Sequence, residues 1–411
     1  MMRKFGRTVF AVGTAVAIVC TAACGSDSSS AATPTEPTID LAALDVGNLP
    51  TQPKAFDKVT GLEMAKIVEA WRLGNALPLP SEIIPEAKYA PSAQGGAIRT
   101  FMDMSSAAMG MRTSADSAAL NEAAKGFVSG FVTTGRDSLV GSLSYELDNV
   151  VLLFSDEQSA TDAATAMGRL DLAGDAGNRE VQIPKYPNAI AYTTDNISGP
   201  GQLHSWYATG RYVILSYVYD SVMSELKTAD VPKLIDRAER SIDAIKPRVA
   251  AFQPTPQDKL LDLMADQDGM LARSLSTVVT DQSKRGIPGV YDRHGGLQIS
   301  GAPEIDAKLF EEAGVDRVAW RGDFVYRAQD AAGAAKIVAS RGETTRKFVR
   351  VDSPKNLPNA QCRKYASASK YDIAYYCYVS HGRYAAEVAA NQLLDAQQRI
   401  SAQYALLVNA G

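Results

Sequence analysis

Few side chains in this sequence stand at spacings that do chemistry. The three histidines, His204, His294 and His381, lie far apart, with no i, i+4 pair and no neighbouring cysteine. They predict no dedicated metal centre, and no motif asks for another cofactor. His204 and His381 fall on or beside strand hairpins. His294, within Tyr291-Asp292-Arg293-His294-Gly295-Gly296, is expected in an exposed glycine-rich turn. Neither a Gly-x-Ser-x-Gly elbow nor a Walker-type phosphate loop occurs. Ser367-Ala368-Ser369-Lys370 has the Ser-x-x-Lys spacing by which one helical turn sets an amine beside a hydroxyl. It lacks a Lys-Thr-Gly partner and falls where a hairpin turn is expected, so turn chemistry accounts for it. Asp103, Asp148, Glu304 and Asp323 can serve glycoside hydrolysis only if the fold brings two of them together. Solvated loops and helix caps are the ordinary places for such acids.

Binding has more candidates than catalysis. Tyr371, Tyr375, Tyr376 and Tyr378 form one aromatic run, and Trp206 and Tyr207 sit in a matching segment upstream. Of these, Tyr376, Tyr378, Trp206 and Tyr207 are the candidates to line a groove for a lipid or a glycan. Alternation puts Tyr376 and Tyr378 on one strand face and Tyr375 and Cys377 on the other, so one group is core. Met102, Met104, Met109 and Met111 flank a small-residue segment, where thioethers either adapt to apolar ligands or fill core gaps. The formal net charge is −4, with no basic patch or tail, which argues against a nucleic-acid partner.

The cysteines divide by position. Arg3, Lys4 and Arg7 precede an uncharged run from Thr8 to Ala23 that ends in small side chains, the pattern of a signal peptide over residues 1–23. The run is shorter than the roughly 20 apolar residues of a spanning helix. Thr21-Ala22-Ala23-Cys24 resembles a bacterial lipobox, with Thr21 where an aliphatic residue is usual. Cys24 is accordingly expected to carry the lipid, palmitate included. Each buried acyl CH₂ contributes about 0.8 kcal/mol, so two or three chains make a stable membrane anchor where one does not. The alternative is ordinary secretion with a cut near Ala23. Cys362 and Cys377 then remain as an even pair in an oxidising compartment, expected as one disulfide worth about 3 kcal/mol in the chain-entropy model, or else as two free structural thiols.

Organisation follows from composition and repetition. Gly25 to Glu36 is Ser, Ala, Thr and Pro, too poor in apolar surface to offset its ordering entropy, so residues 24–58 read as lipidated cysteine plus flexible stalk. Thr60 and Glu63 have capping-box spacing ahead of Met64, Ile67, Val68 and Trp71, a helix that Pro78, Pro80 and Pro85 end. Beyond it the chain repeats itself at a separation of 170 to 172 residues. Pro184-Lys185 recurs as Pro354-Lys355, Pro187-Asn188-Ala189 as Pro358-Asn359-Ala360, and Gly210-Arg211-Tyr212 as Gly382-Arg383-Tyr384. Tyr145 to Phe154 and Val318 to Arg327 read as strands, each followed by an alanine-rich helix. Ala160, Ala163, Ala164 and Met167 are expected to match Ala331, Ala334, Ala335 and Val338. Strands near Val181 and Val351, the Pro-Asn-Ala turns, and hairpins bending at Thr209-Gly210 and His381-Gly382 follow. Closing helices are expected over Val231 to Ile245 and Asn391 to Leu407. The order predicts an α+β fold, a tandem duplication of antiparallel sheets with helices on one face, ferredoxin-like in plan. Lys246-Pro247 and Phe252 to Pro256 mark the junction, giving an N-terminal domain over 59–252 and a C-terminal repeat over 253–411.

Leu44-Asp45-Val46-Gly47-Asn48-Leu49-Pro50-Thr51-Gln52-Pro53 and Leu77-Pro78-Leu79-Pro80-Ser81-Glu82 resemble an uncharacterised family of actinobacterial cell-envelope lipoproteins, of mycobacterial and nocardial type. That resemblance implies location and fold, and it carries no catalytic residues. Taken together the expectation is a non-catalytic binding or interaction protein, held by lipid at the extracytoplasmic face of the cell membrane. A lipid, a glycan or an envelope protein would be its partner. The competing expectations are a cell-wall hydrolase using spatially paired carboxylates, and a structural spacer.

Overall fold

The repeated sequence features fold into repeated hydrogen bonds. The computed structural model describes residues 38–91, 99–195, 200–276, 287–368 and 373–411. A helix, α1 (Leu62–Ala76), comes first. The first sheet then takes β1 (Thr100–Phe101), β2 (Phe127–Arg136) and β3 (Tyr145–Phe154), followed by helix α2 (Glu157–Ala173). Strands β4 (Asn178–Val181), β5 (Ile190–Thr194), β6 (Gln202–Thr209) and β7 (Tyr212–Asp220) meander back, and α3 (Val231–Ala251) closes the half. The second half opens with β8 (Gly289–Asp292), inserts α4 (Pro303–Glu312), and continues with β9 (Arg317–Trp320), β10 (Phe324–Arg327) and α5 (Ala331–Gly342). It ends with β11 (Phe348–Val351), β12 (Gln361–Tyr365), β13 (Tyr375–His381), β14 (Tyr384–Ala390) and α6 (Leu393–Asn409).

The two seven-stranded sheets have one topology. The first runs β1-β2-β3-β7-β6-β5-β4 and the second β8-β9-β10-β14-β13-β12-β11, every neighbour antiparallel. In each half a helix carries the chain from a central strand to the far edge, and the meander returns beside that strand. The fold is thus α+β and duplicated. The split β-α-β of a ferredoxin-like plan is expanded, with three strands rather than one between β3 and β4. Helices cover both faces of each sheet instead of one. Val150, Leu152 and Phe154 of β3 pack under α2, whereas Leu147, Val151 and Leu153 face α1 and α3. Likewise Tyr378 and Ala385 lie under α5, and Val379 and Val388 under α6.

Conserved turn chemistry within the chain explains the repeated triplets. Gly210 and Gly382 both stand at φ +51° in two-residue hairpin turns, the left-handed region that favours glycine. The next residue does the same work in each half. Arg211 Nε donates to the Phe154 carbonyl at 3.0 Å, and Arg383 Nε to the Ala328 carbonyl at 2.7 Å. Each arginine's own carbonyl accepts from the backbone N–H of the same residue. The Pro-Asn-Ala segments close equivalent turns, Ala189 N–H on the Tyr186 carbonyl and Ala360 N–H on that of Leu357.

Three local expectations are corrected. Val318 to Arg327 is not one strand: Gly322, at φ +97°, folds it into the β9-β10 hairpin, the shortened counterpart of β2-β3. The alanine helices match three residues out of the expected register. Asp156 caps α2 through Ser159 N–H and Asp330 caps α5 through Gly333 N–H, so Ala160 corresponds to Ala334, while Ala331 and Ala335 are exposed. Pro247 does not end α3, which continues to Ala251, because Ile245 and Val249 on either side of it are buried in the shared core. Cys362 and Cys377 stand directly opposite on β12 and β13 and form a disulfide.

The halves share one core, and residues 38–411 form one compact unit. Trp71 of α1, Phe131 of β2, Val290 of β8, Val379 of β13 and Tyr404 of α6 belong to a single apolar cluster. Within the stretch expected as stalk, the described residues 38–58 are held on the second half. Gln398 Nε2 donates to Asp45 at 3.0 Å and Asn409 Nδ2 to the Thr51 carbonyl at 2.8 Å, while Val46 and Leu49 pack on Leu275 and Leu406. Cys24, the signal segment, Ser369, Lys370 and Tyr371 lie outside the described residues. No helix among the described residues is long and apolar enough to cross a membrane.

Candidate functional site

Close backbone approach builds the seam between the halves. Helix α1 packs on β2 of the first sheet and on β8 of the second. Gly295, in the short helix Arg293–Gln298, sits where a Cβ would come within 1.9 Å of Asn75 Oδ1, so any larger residue must shift the Asn75 amide. Asn75 Oδ1 also accepts from Asp292 N–H at 3.3 Å, and its carbonyl lies 3.1 Å from His294 Nδ1, which must therefore carry a proton. His294 Nε2 is 2.9 Å from Glu82 Oε2, and that contact leads in holding the Glu82 carboxyl below its ordinary value. His294 is thus a half-buried clasp on a helix, not an exposed turn residue. Its neighbour Gln298 donates Nε2 to the carbonyls of Leu77 and Pro78, at 3.1 and 3.2 Å.

A cavity opens beside these contacts. It is lined from the first half by Leu79, Pro80, Tyr89, Arg99 and Thr134, and from the second by Leu297, Gln298, Pro303 and Glu304. Four of its polar atoms are buried without a hydrogen-bond partner among the described residues: Arg99 Nη1, Thr134 Oγ1, Gln298 Oε1 and Glu304 Oε2. Native interiors leave few such atoms, and each costs about 1–3 kcal/mol when unpaired.

Arg99 is the most unusual of the four. Three arginines are buried in the described protein, Arg99, Arg112 and Arg237. Arg112 pairs with Asp148 at 2.7 Å and Arg237 with Asp220 at 2.8 Å. Arg99 has no acid within ion-pair distance among the described residues; its Nε donates to the Gln298 carbonyl at 2.9 Å. Burial, reinforced by the Arg112 charge, brings its guanidinium down to about 10. Glu304 is shifted the other way: burial and the nearby Asp306 raise its carboxyl. A buried guanidinium without an ion-pair partner among the described residues, a carboxyl raised by burial and an oriented amide oxygen make a site that can bind, between largely apolar walls.

The residues singled out from sequence are dispersed. Trp206 is buried beneath α2 and donates Nε1 to Asp171 at 2.8 Å. Tyr207 faces the other side of β6, 4.9 Å from the Tyr186 ring. Tyr378 is buried under α5, where its hydroxyl accepts from Arg363 Nε at 3.0 Å, and Tyr376 packs edge-on against Phe348. Two pairs of aromatics on separate sheets do not form one groove; Trp206 and Tyr207 border a cavity of about 350 Å³ with Asn188 and Thr161. Met104 and Met109 are core, Met102 and Met111 exposed. His204 is stacked at 4.4 Å on Tyr192, donates Nδ1 to the Arg112 carbonyl, and is held neutral by burial.

The four acids separate as well. Asp103 caps Ser105 in an exposed loop, Asp148 is committed to Arg112, and Asp323 is buried on Ala389 N–H. Glu304 alone of the four lines the seam cavity. No group of three or more potential metal ligands occurs among the described residues. Sequence reasoning passed over Arg99, Thr134 and Gln298. Their only signal is polarity next to apolar strand or helix positions, and Arg99 and Gln298 are 199 residues apart.

Comparison with known families places both halves. The N-terminal part of the family described as Domain of unknown function (DUF7373) matches residues 56–265, and its C-terminal part matches residues 270–410. No curated protein matches the chain, and no solved structure matches it.

Proposed function

We propose, for a chain that belongs to the DUF7373 family, a non-catalytic binding role, with the ligand held in the cavity between the two halves. The observation that carries it is Arg99, a buried guanidinium without an acid partner among the described residues, beside three further unpaired polar atoms in one cleft. Burying an unpaired charge is costly, and a bound partner of opposite charge removes that cost. Hydrolysis would need a second carboxylate facing Glu304. Asp306, the acid whose charge acts on Glu304, accepts from Ser300 Oγ and Arg341 through its Oδ2.

The same reading places the protein at the extracytoplasmic face of the membrane, tethered through acylated Cys24, in the manner of the actinobacterial envelope lipoproteins that its 44–53 and 77–82 segments resemble. The charged and apolar pattern of residues 1–23 and the cysteine after Ala23 support this. Native mass spectrometry of the protein extracted from its own host's membranes tests the binding role, a retained non-covalent mass being the expected result. Cys24→Ala is expected to move the protein out of the membrane fraction and to abolish acyl labelling. An apoprotein mass alone, with no envelope crosslink, would sink the binding role; unchanged partitioning would sink the anchor.

A further inference from the structure

We infer that the seam cavity takes a compact hydroxy-monocarboxylate, an inference that rests on the binding role proposed above and gives it a ligand class. Charge comes first. Arg99 supplies one uncompensated positive charge, and Lys88 at the rim is exposed and hydrated. A monoanion neutralises Arg99, whereas a dianion would leave a buried negative charge of its own. Donor and acceptor balance comes second. Arg99 Nη1 needs an acceptor, which a carboxylate provides with the planar fit a guanidinium favours. The amide of Gln298 is oriented by its two bonds to the Leu77 and Pro78 carbonyls, so its free Oε1 presents an acceptor that requires a donor from the ligand. A hydroxyl meets that need. Thr134 Oγ1 serves either role, and Glu304, whose carboxyl burial raises, lines the same wall.

Size comes third. The cavity offers about 90 Å³ to water-sized occupants. A dry cavity of about 150 Å³ takes benzene, so the enclosed space suits a ligand of at most about six non-hydrogen atoms. That excludes a whole acyl chain or a disaccharide from the enclosed part. Leu79, Pro80, Ala87 and Leu297 leave room for a short apolar substituent.

Calorimetric titration of the full-length mature protein with L-lactate, D-lactate, acetate, lactamide and inorganic phosphate tests this. Saturable binding of a lactate is expected, with lactamide and phosphate silent and acetate weaker for want of a hydroxyl. Arg99→Met should weaken lactate roughly ten- to hundredfold, the range of a lost charge-assisted hydrogen bond. The lactate and lactamide comparison needs no variant, so it stands even if Arg99→Met fails to fold. Lactamide binding as well as lactate, phosphate binding in its place, or Arg99→Met keeping full affinity would each overturn the ligand class. If no carboxylate binds while native mass spectrometry finds a neutral or cationic ligand, this inference falls and the binding role stands. If nothing binds and nothing is retained, both fall.

Discussion

Arg99 Nε donates a 2.9 Å hydrogen bond to the carbonyl of Gln298, 199 residues away and in the other half of the duplication. The bond ties the edge of the first sheet to the short helix that follows β8 in the second half, yet it leaves the guanidinium without an ion-pair partner among the described residues.

Two buried arginines should therefore respond unequally to mutation. Arg112→Met removes the partner of buried Asp148 and is expected to cost roughly 3–5 kcal/mol in urea unfolding at pH 7. Arg99→Met removes an uncompensated charge and is expected to change the stability of the ligand-free protein by less than about 1 kcal/mol, since the lost Gln298 bond and the relieved burial offset each other. Equal losses from the two substitutions would contradict this account of Arg99.

The seam itself is testable at Gly295. A methyl group there meets Asn75 Oδ1 at 1.9 Å and must displace the Asn75 amide, breaking its bond to Asp292 N–H. Gly295→Ala is expected to destabilise by about 1–3 kcal/mol. Because the two halves share a core, a single cooperative transition should persist in calorimetry. An unchanged midpoint would show that the close approach at Asn75 does not constrain the halves.

The Cys362–Cys377 bond closes a loop of sequence separation 15 between adjacent strands. Reduction, or Cys362→Ser with Cys377→Ser, is expected to lower stability by about 3 kcal/mol. The mass after denaturing alkylation should rise by two adducts only when reductant is present.

Acid should strengthen one part of the second half. Asp323 is fully buried, and loss of hydration pushes its carboxyl up to about 7 from an ordinary 3.8. Glu387 and Asp395 act in the same direction, while the Ala389 N–H and Arg399 oppose it. Between those two values the folded state keeps a proton that the unfolded chain has released, so the Asp323 contribution to stability falls as pH rises from 4 to 7 and its penalty is complete above 7. Asp323→Asn, which still accepts from Ala389 N–H, is expected to stabilise the protein by on the order of 4 kcal/mol at pH 8 and by little at pH 4. A gain that is the same at both pH values would refute it.

Much of the fold was legible because its signals are local. Tyr145 to Phe154 read as a strand at its observed ends, and the triplets around Gly210 and Gly382 recorded a turn whose arginine closes the same backbone bonds twice. Errors arose where packing outvotes propensity. Pro247 sits inside α3 because Ile245 and Val249 are buried on either side, and the repeat spacing failed to show that α2 and α5 align by their aspartate caps. The aromatic candidates do not form one groove because they lie on two separate sheets, and alternation sends Trp206 and Tyr207 to opposite faces of one strand although both border one cavity.

The chain's order of apolar, turn and capping residues determined that two α+β units of one plan would form, and the positions of Cys362 and Cys377 determined a pair that could join. What only the tertiary structure decided is the seam. Whether Arg99, Thr134, Gln298 and Glu304 are solvated or buried depends on surfaces brought together from opposite ends of the chain, and burial is what turns an ordinary arginine into an unanswered charge.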